Sequence, residues 1–372
     1  MKKIFTPLFL AILALRPLFL SAEGGNSSVD ILKGDISPRA MSMGGAYAAA
    51  ADDSQGAFYN PAAIGVIANP EAAFSYSGGF DKTQLNHLSF AMPLPYRGFS
   101  NLNRGVLGAS ILSSSLGKFT YRYIAADGSV VSSNMDAEKN MVFSLSYGEK
   151  ASEGETAIDK HKLFLEHYLG VSVKYVKSTL LEDYSAGTPA FDAGYRMVEP
   201  EKGFSFGLSV SNFGGKIKYV KQSYPLPQIL RAGIALRSSP IMDQQLLFTT
   251  EYDKFIQDGE SAAKVGLEYH LQKILNLRVG YAGIQENKGF SLGLGFFLDN
   301  VSADFSTSML SVYSYSAFSL SYRFSGVEIK EVKKKKKQIK VDEEEAPRRK
   351  ESVKEKPKPK PKTSSDDFLM LY

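Results

Sequence analysis

Apolar residues recur at every second position over most of this chain. Leu267, Tyr269 and Leu271 alternate with Glu268 and His270, and Leu275, Leu277, Val279 and Tyr281 alternate with Asn276, Arg278 and Gly280. Phe290, Leu292, Leu294 and Phe296 face away from Ser291, Gly293 and Gly295, and Phe318, Leu320, Tyr322 and Phe324 from Ser319, Ser321 and Arg323. Leu169 to Tyr175 and Phe204 to Val210 repeat the pattern. A period of two places successive side chains on opposite faces of a strand. Each segment therefore carries one apolar face and one small, polar or charged face. The pattern predicts strands near residues 71–80, 85–94, 104–113, 117–124, 139–147, 166–178, 203–212, 228–237, 244–253, 262–271, 275–283, 290–298, 300–307 and 316–325, which is 14 in all. Residues 148–165 and 179–202 read as the longest polar interruptions.

Two environments produce such alternation. A soluble sandwich turns its apolar faces inward, whereas a membrane barrel turns them to lipid and keeps small and polar residues in the lumen. The polar faces here hold Gly, Ser and Ala more than the Lys and Glu of a solvated surface. Aromatic residues gather at strand ends, at Tyr269, Tyr281, Phe296, Tyr322 and Phe324, where an interface girdle would stand. Segments of about ten residues suit a tilted strand crossing a bilayer. The expected fold is all-β, an antiparallel transmembrane barrel of about 14 strands over residues 71–325.

The opening of the chain adds a location. Lys2 and Lys3, an apolar run from Ile4 to Leu15 and small residues at Ser21 and Ala22 read as a signal peptide over residues 1–22. The expectation is an exported protein in the outer membrane, in contact with its lipid. There is no Cys, so neither a disulfide framework nor a thiol nucleophile is available.

Residues 23–70 are of a different kind. Pro38 to Gly65 is rich in small residues and in helix-start punctuation, and poor in large aliphatics. Ser37 precedes Pro38, Asn60 precedes Pro61, and Asp52 and Asp53 are placed to cap the segment after them. Gly44 and Gly45 interrupt the run. Such a segment is expected to lie compactly inside the barrel as a hatch.

The run Arg39 to Ala46, the Asp52-Asp53 pair, and Phe58-Tyr59-Asn60-Pro61-Ala62 with Gly65 resemble the amino-terminal signature of FadL-type outer-membrane transporters. They are more similar still to the shortened relatives of spirochaetes and to the PorV-type proteins of the type IX secretion apparatus. The resemblance covers residues 30–325. It implies a barrel blocked by the hatch, with passive uptake of a hydrophobic nutrient such as a long-chain fatty acid. The rival it implies is a scaffold or shuttle that binds exported proteins. The hatch motif residues are Gly44, Gly45, Asp52, Asp53, Asn60, Pro61 and Ala62.

Inward-facing charges at Lys174, Arg231, Arg237, Lys264, Glu268, Arg278 and Arg323 have two readings. They brace the lumen as ion pairs, or one or two arginines meet an anionic head group. Candidate ligand contacts are Arg231 and Arg278 for the head, with Met41, Met43, Tyr47 and Phe58 for an apolar tail. The same hatch residues also suit plain packing against the wall.

Enzyme signatures do not survive inspection. Gly203 to Gly207 and Gly289 to Gly293 match the G-x-S-x-G elbow, but both serines sit mid-strand with no helix following. His87, His161, His167 and His270 lack metal-ligand spacing, and no cofactor fingerprint occurs. The expectation is no catalysis, no metal and no cofactor.

The net charge of +5 resides in the tail, where residues 326–372 hold 15 Lys+Arg against 10 Asp+Glu. The basic balance therefore implies no nucleic-acid surface on the body. Like-charge blocks and a Lys-Pro repeat cannot bury a core, so this tail is expected to be disordered and periplasmic. It is either a spacer or a contact to a periplasmic protein or anionic cell-wall polymer. Truncation after Gly326 should leave barrel assembly and heat resistance unchanged while salt-sensitive binding to sacculi falls. Failed assembly would make the tail part of the fold, and undiminished sacculus binding would reduce it to a spacer.

Overall fold

A computed structural model describes residues 26–79, 83–158, 161–284, 287–311 and 314–325. The signal-peptide and tail expectations, on residues 1–22 and 326–372, lie outside the described residues. The strands are β1 (Glu71–Gly79), β2 (Gln84–Arg97), β3 (Arg104–Ile124), β4 (Val130–Ile158), β5 (His161–Leu180), β6 (Tyr184–Glu199), β7 (Phe204–Phe213), β8 (Lys216–Lys218) and β9 (Ser223–Pro225). They continue with β10 (Ile229–Arg237), β11 (Gln244–Phe255), β12 (Ser261–Leu271), β13 (Leu275–Ile284), β14 (Asn287–Leu298), β15 (Val301–Leu310) and β16 (Ser314–Arg323). All but β8 and β9 form one closed antiparallel barrel of 14 strands in which chain neighbours are sheet neighbours. The seam is β1 against β16, running in register from Glu71 opposite Arg323 to Gly79 opposite Tyr315. The pair β8 and β9 is a separate ribbon between β7 and β10.

The expected number of strands is right, but two of its parts are wrong. Residues 104–113 and 117–124 are one strand, because β3 pairs with β4 from Val106 opposite Gly148 through to Ile124 opposite Val130. Gly117 takes a left-handed φ of 53° without shifting that register. The interruption expected over 179–202 contains β6, and that over 148–165 is the end of β4 and the start of β5. β6 escapes the hydrophobic pattern because Gly187, Pro189 and Ala193 share its outward face with Phe191 and dilute the apolar signal.

Side-chain direction follows the alternation. Leu145, Val171, Phe290 and Leu294 stand exposed on the outer wall, whereas Glu268, Arg278, Lys174 and Ser291 are buried inside. Wrapping a closed sheet in large apolar side chains on this scale would be an aggregation surface in water. In lipid it is the expected solvation. No helix among the described residues is long and apolar enough to cross a membrane, so any crossing is made by strands.

The lumen is filled from its own chain. Residues 26–35 lie at the barrel end opposite Glu71 and Arg323, where Ser27 donates to Asp258 (3.1 Å from N, 2.9 Å from Oγ) and Ser28 N to Pro225 O (2.9 Å). The described part of the hatch therefore begins at the end opposite the chain's exit from β16. From there it descends along the inner wall and leaves beside β1.

The hatch does contribute to a core, contrary to its small-residue composition. Leu32, Ile36, Phe58 and Tyr59 pack with Ile217 and Leu226 of the ribbon region. Leu85, Leu112, Val142 and Val176 meet them from the inner faces of β2 to β5, which are apolar at this level. These four residues break the rule of a polar lumen.

Charge placed on the outer wall should be costly. Leu267→Arg or Leu294→Arg should lower stability in refolding titrations by about 2–4 kcal/mol. Ser291→Arg points inward and should cost less, and the opposite ranking would reverse the inside-out assignment.

Candidate functional site

The hatch is built from short helical turns with local caps. Pro38–Ser42 is a single α-helical turn with Pro at its first position. Ser37 precedes it in extended conformation but makes no side-chain cap, and its buried Oγ has no partner. Asp53 accepts from Gly56 N (2.9 Å) at the start of the 3-10 turn Ser54–Phe58. Asn60 caps Pro61–Val66 through Ala62 N (3.0 Å) and donates to Ala48 O (3.0 Å) and to Tyr195 O on β6 (3.1 Å). One side chain thus closes a turn, ties two parts of the hatch and pins both to the wall.

Steric fit explains the glycines. Gly44 and Gly45 have φ of 66° and 81°, the left-handed region that favours glycine, and Gly44 lies directly against the backbone of Tyr281. On the wall, a Cβ at Gly170 would overlap the backbone of Pro61 and Ala62, and one at Gly280 that of Met43 and Gly44. The elbow-like segments belong to this fit: Gly207 makes room for Ala48, and Gly293 for Ser42. Ser205 Oγ donates to Ala49 O (2.9 Å), and Ser291 shares a bond with Ser308 (3.0 Å).

A chain of ion pairs locks the hatch to four strands. Arg39 grips Glu268 of β12 with two bonds (Nε–Oε2 2.8 Å, Nη2–Oε1 2.9 Å) and Asp52 with a third (2.5 Å). Asp52 continues to Arg237 of β10 (2.9 Å). Glu268 continues to Arg278 of β13 (2.6 Å) and His270 (2.7 Å), and Arg278 to Asp304 of β15 (2.6 Å). Burial works against a charged Asp52, but Arg39 and then Arg237 hold its carboxyl well below the usual carboxylate range. Asp53, one residue on, is pushed up by burial; Arg39 opposes that shift, and Glu71 and Asp52 add to it. It is bonded to Tyr47 Oη.

A second cluster surrounds Lys264. Its Nζ meets Asp253 (2.7 Å) and Glu251 (3.8 Å), and Glu251 accepts from the backbone N of Tyr47 (2.9 Å) and Ala48 (2.6 Å). Arg231 reaches Ser211 (2.8 Å) and Asp253 (3.7 Å).

The open volume lies elsewhere. A cavity of about 740 Å³ occupies the end of the barrel where the hatch begins, bounded by residues 30–35 on one side and by β1 to β3 and β11 to β16 on the other. Ile31, Leu116, Phe255 and Leu310 give it apolar walls, and Gly44, Asp35 and Lys264 lie at its floor. Its rim reaches solvent at Asp30.

The expected ligand contacts are not among its walls. Met41, Met43, Tyr47 and Phe58 are buried in hatch packing, with Met41 Sδ accepting from Ser306 (3.1 Å). Arg278 and Arg231 are engaged by the carboxylates just described. Of the motif residues only Gly44 borders the cavity. Asp35 and residues 30–33 were not singled out by sequence reasoning, because nothing in their local pattern marks them as lining an open volume. No group of three or more acidic or histidine residues is placed to hold a metal among the described residues.

No family model matches the chain, and no curated protein matches it. Solved structures do. The chain is similar to the Ralstonia pickettii toluene transporter TbuX, at 13% identity over 80% of this chain and 100% of that chain, with a TM-score of 0.48. It is similar to the CymD monoaromatic hydrocarbon channel at 15% identity, over 79% and 98% of the two chains, with a TM-score of 0.46. A Pseudomonas aeruginosa FadL homologue is similar at 12% identity, over 76% and 96%, with a TM-score of 0.43.

The Arg39 lock makes a measurable claim. Arg39→Ala leaves Glu268 and Asp52 each with one cation fewer, and should weaken hatch docking by about 3 kcal/mol. The readout is faster proteolysis within residues 37–65 and raised ion conductance in planar bilayers, with Arg39→Lys intermediate. A hatch as resistant as the unmodified one would mean that steric fit alone holds it.

Proposed function

We propose that this barrel is an outer-membrane uptake protein that admits small hydrophobic molecules into the lumen by passive diffusion. The observation that carries the reading is the 740 Å³ cavity with apolar walls, seated in a lipid-facing barrel and floored by its own hatch. A volume of that size is typical of small-molecule sites. The hatch below it is held by side-chain bonds and van der Waals fit, without a covalent tie, so it is displaceable at finite cost. The resemblance implies a fatty acid, and the apolar walls support the hydrophobic portion of such a ligand. The expected orientation places the cavity outside the cell, and the β16 exit with its charged extension in the periplasm. The reading is binding and passage.

Filling the cavity tests this directly. Ser308→Trp should abolish retention of a radiolabelled hydrophobic probe such as decanol and slow its entry into proteoliposomes. Heat-resistant migration of the folded barrel should be unaltered. Undiminished retention by a correctly folded variant would remove the cavity from the pathway.

A further inference from the structure

We infer that this cavity sorts amphiphiles by head-group charge, accepting a protonated amine or a hydroxyl and rejecting a carboxylate, with Asp35 as the residue that enforces the choice. The inference rests on the reading of the cavity as the ligand site. It concerns the head group, which apolar walls leave undecided.

The positive charge at the cavity is already engaged. Two lysines line it. Lys33 lies between Asp30 and Asp258 at 2.9 Å each, and Lys264 is held by Asp253 at 2.7 Å and Glu251 at 3.8 Å. Arg231, behind Lys264, also turns to Asp253. An incoming carboxylate would have to displace a resident one to reach either lysine.

Two lining carboxylates have the opposite status. Asp35 at the floor and Glu260 toward the rim have no cationic side chain within 4 Å among the described residues. Lys264 is near enough to Asp35 to act on it through space, and both approach Gly45, but they are not an ion pair. Burial raises the Asp35 carboxyl and the nearby Asp253 adds to the shift, against the pull of Lys264 and Arg231 and a hydrogen bond with Tyr59.

The chemistry follows from sign and geometry. Around the cavity three cations face six carboxylates: Lys33, Lys264 and Arg231 against Asp30, Asp35, Glu251, Asp253, Asp258 and Glu260. In a partly dry site a second anion near Asp35 must be repelled or take up a proton. An ammonium gains from the same field. A hydroxyl is indifferent to charge and finds partners in Ser77, Thr83, Ser291 and Ser308, which also line the cavity. The alkyl part meets the same walls in every case, so the head group alone separates the three ligands.

The experiment uses the full chain in a non-ionic detergent at pH 7.5, with decylamine, decanol and decanoate in equilibrium dialysis below their micellar limits. The chain length is constant, the amine is protonated and the acid ionised. Decylamine and decanol should be retained, with decanoate at least tenfold weaker than decanol. Asp35→Asn should weaken decylamine and bring decanoate to within about threefold of decanol. Glu260→Gln, at the rim, should move both in the same direction by a smaller factor and covers the case in which the floor variant fails to fold. Decanoate binding as tightly as decanol, or an unchanged ranking in both variants, overturns the inference and leaves the cavity as a ligand site. Retention of none of the three by the unmodified protein removes the ligand-site reading, and this inference with it.

Discussion

A polypeptide in lipid has no water to satisfy its backbone, and this constraint shapes everything else in the molecule. A strand with apolar side chains on its outer face must hydrogen-bond on both edges, so the sheet has to close. Closure here is made by β1 and β16, the first and last strands, paired along nine residues each. Closure also creates a lumen, and a lumen of 14 strands is wide enough to require filling. The hatch precedes β1 in the chain and so is available to fill it without any additional domain.

Filling a barrel with a polypeptide imposes two demands that the sequence meets in different ways. Backbone must approach backbone, which needs wall positions without a Cβ, at Gly170, Gly194 and Gly207 on one side and Gly266 and Gly280 on the other. Charges that enter the lumen must also be neutralised there. Arg39 and Asp52 do this jointly, so that Arg237, Asp52, Arg39, Glu268, Arg278 and Asp304 alternate in sign along one continuous path. A buried ion pair contributes modestly to stability because desolvation offsets most of the attraction, while removing one member leaves a charge uncompensated. The path therefore specifies where the hatch sits more than how stable the barrel is. Arg278 shows why this was open to misreading: an inward arginine has the same sequence signature whether it awaits a ligand or holds Glu268.

What the sequence reveals depends on how local the cause is. Outward Leu267 against inward Glu268 is legible because period-two geometry acts on neighbouring residues. The cap at Asn60 is legible for the same reason, and Ser37 shows the limit, since it has cap chemistry but makes no cap bond. β6 was hidden because lipid tolerates Gly187, Pro189 and Ala193 on the outer face, so a membrane strand need not look hydrophobic throughout. The total of 14 emerged although β3 was divided and β6 overlooked, two errors that cancel. The cavity was not legible at all. It is defined by the absence of side chains from a region bounded by residues 30–35, by Ser77 and Leu85, and by Ala282, Ser291, Ser308 and Leu310, and no local pattern encodes an absence.

The position of that absence has a physical cause. On the β2 to β5 side the inner wall carries Leu85, Leu112, Val142 and Val176, which draw Leu32, Phe58 and the ribbon residue Ile217 into an apolar core. Next to it around the barrel, from β1 back to β13, the wall presents Ser77, Ser308, Ser291 and Ala282, small residues that offer the hatch little apolar surface to cover. The chain gains more by packing against the first side than against the second, so the volume not filled accumulates beside β1 and β14 to β16. A dry core and an accessible pocket thus meet at Leu85, with the Arg39 ion pairs beneath. Between the pocket and those ion pairs lies the segment from Asp35 to Gly45. That segment touches the pocket floor at Gly44 and the ion-pair path at Arg39 within five residues, so the pocket above and the lock below share one short stretch of chain.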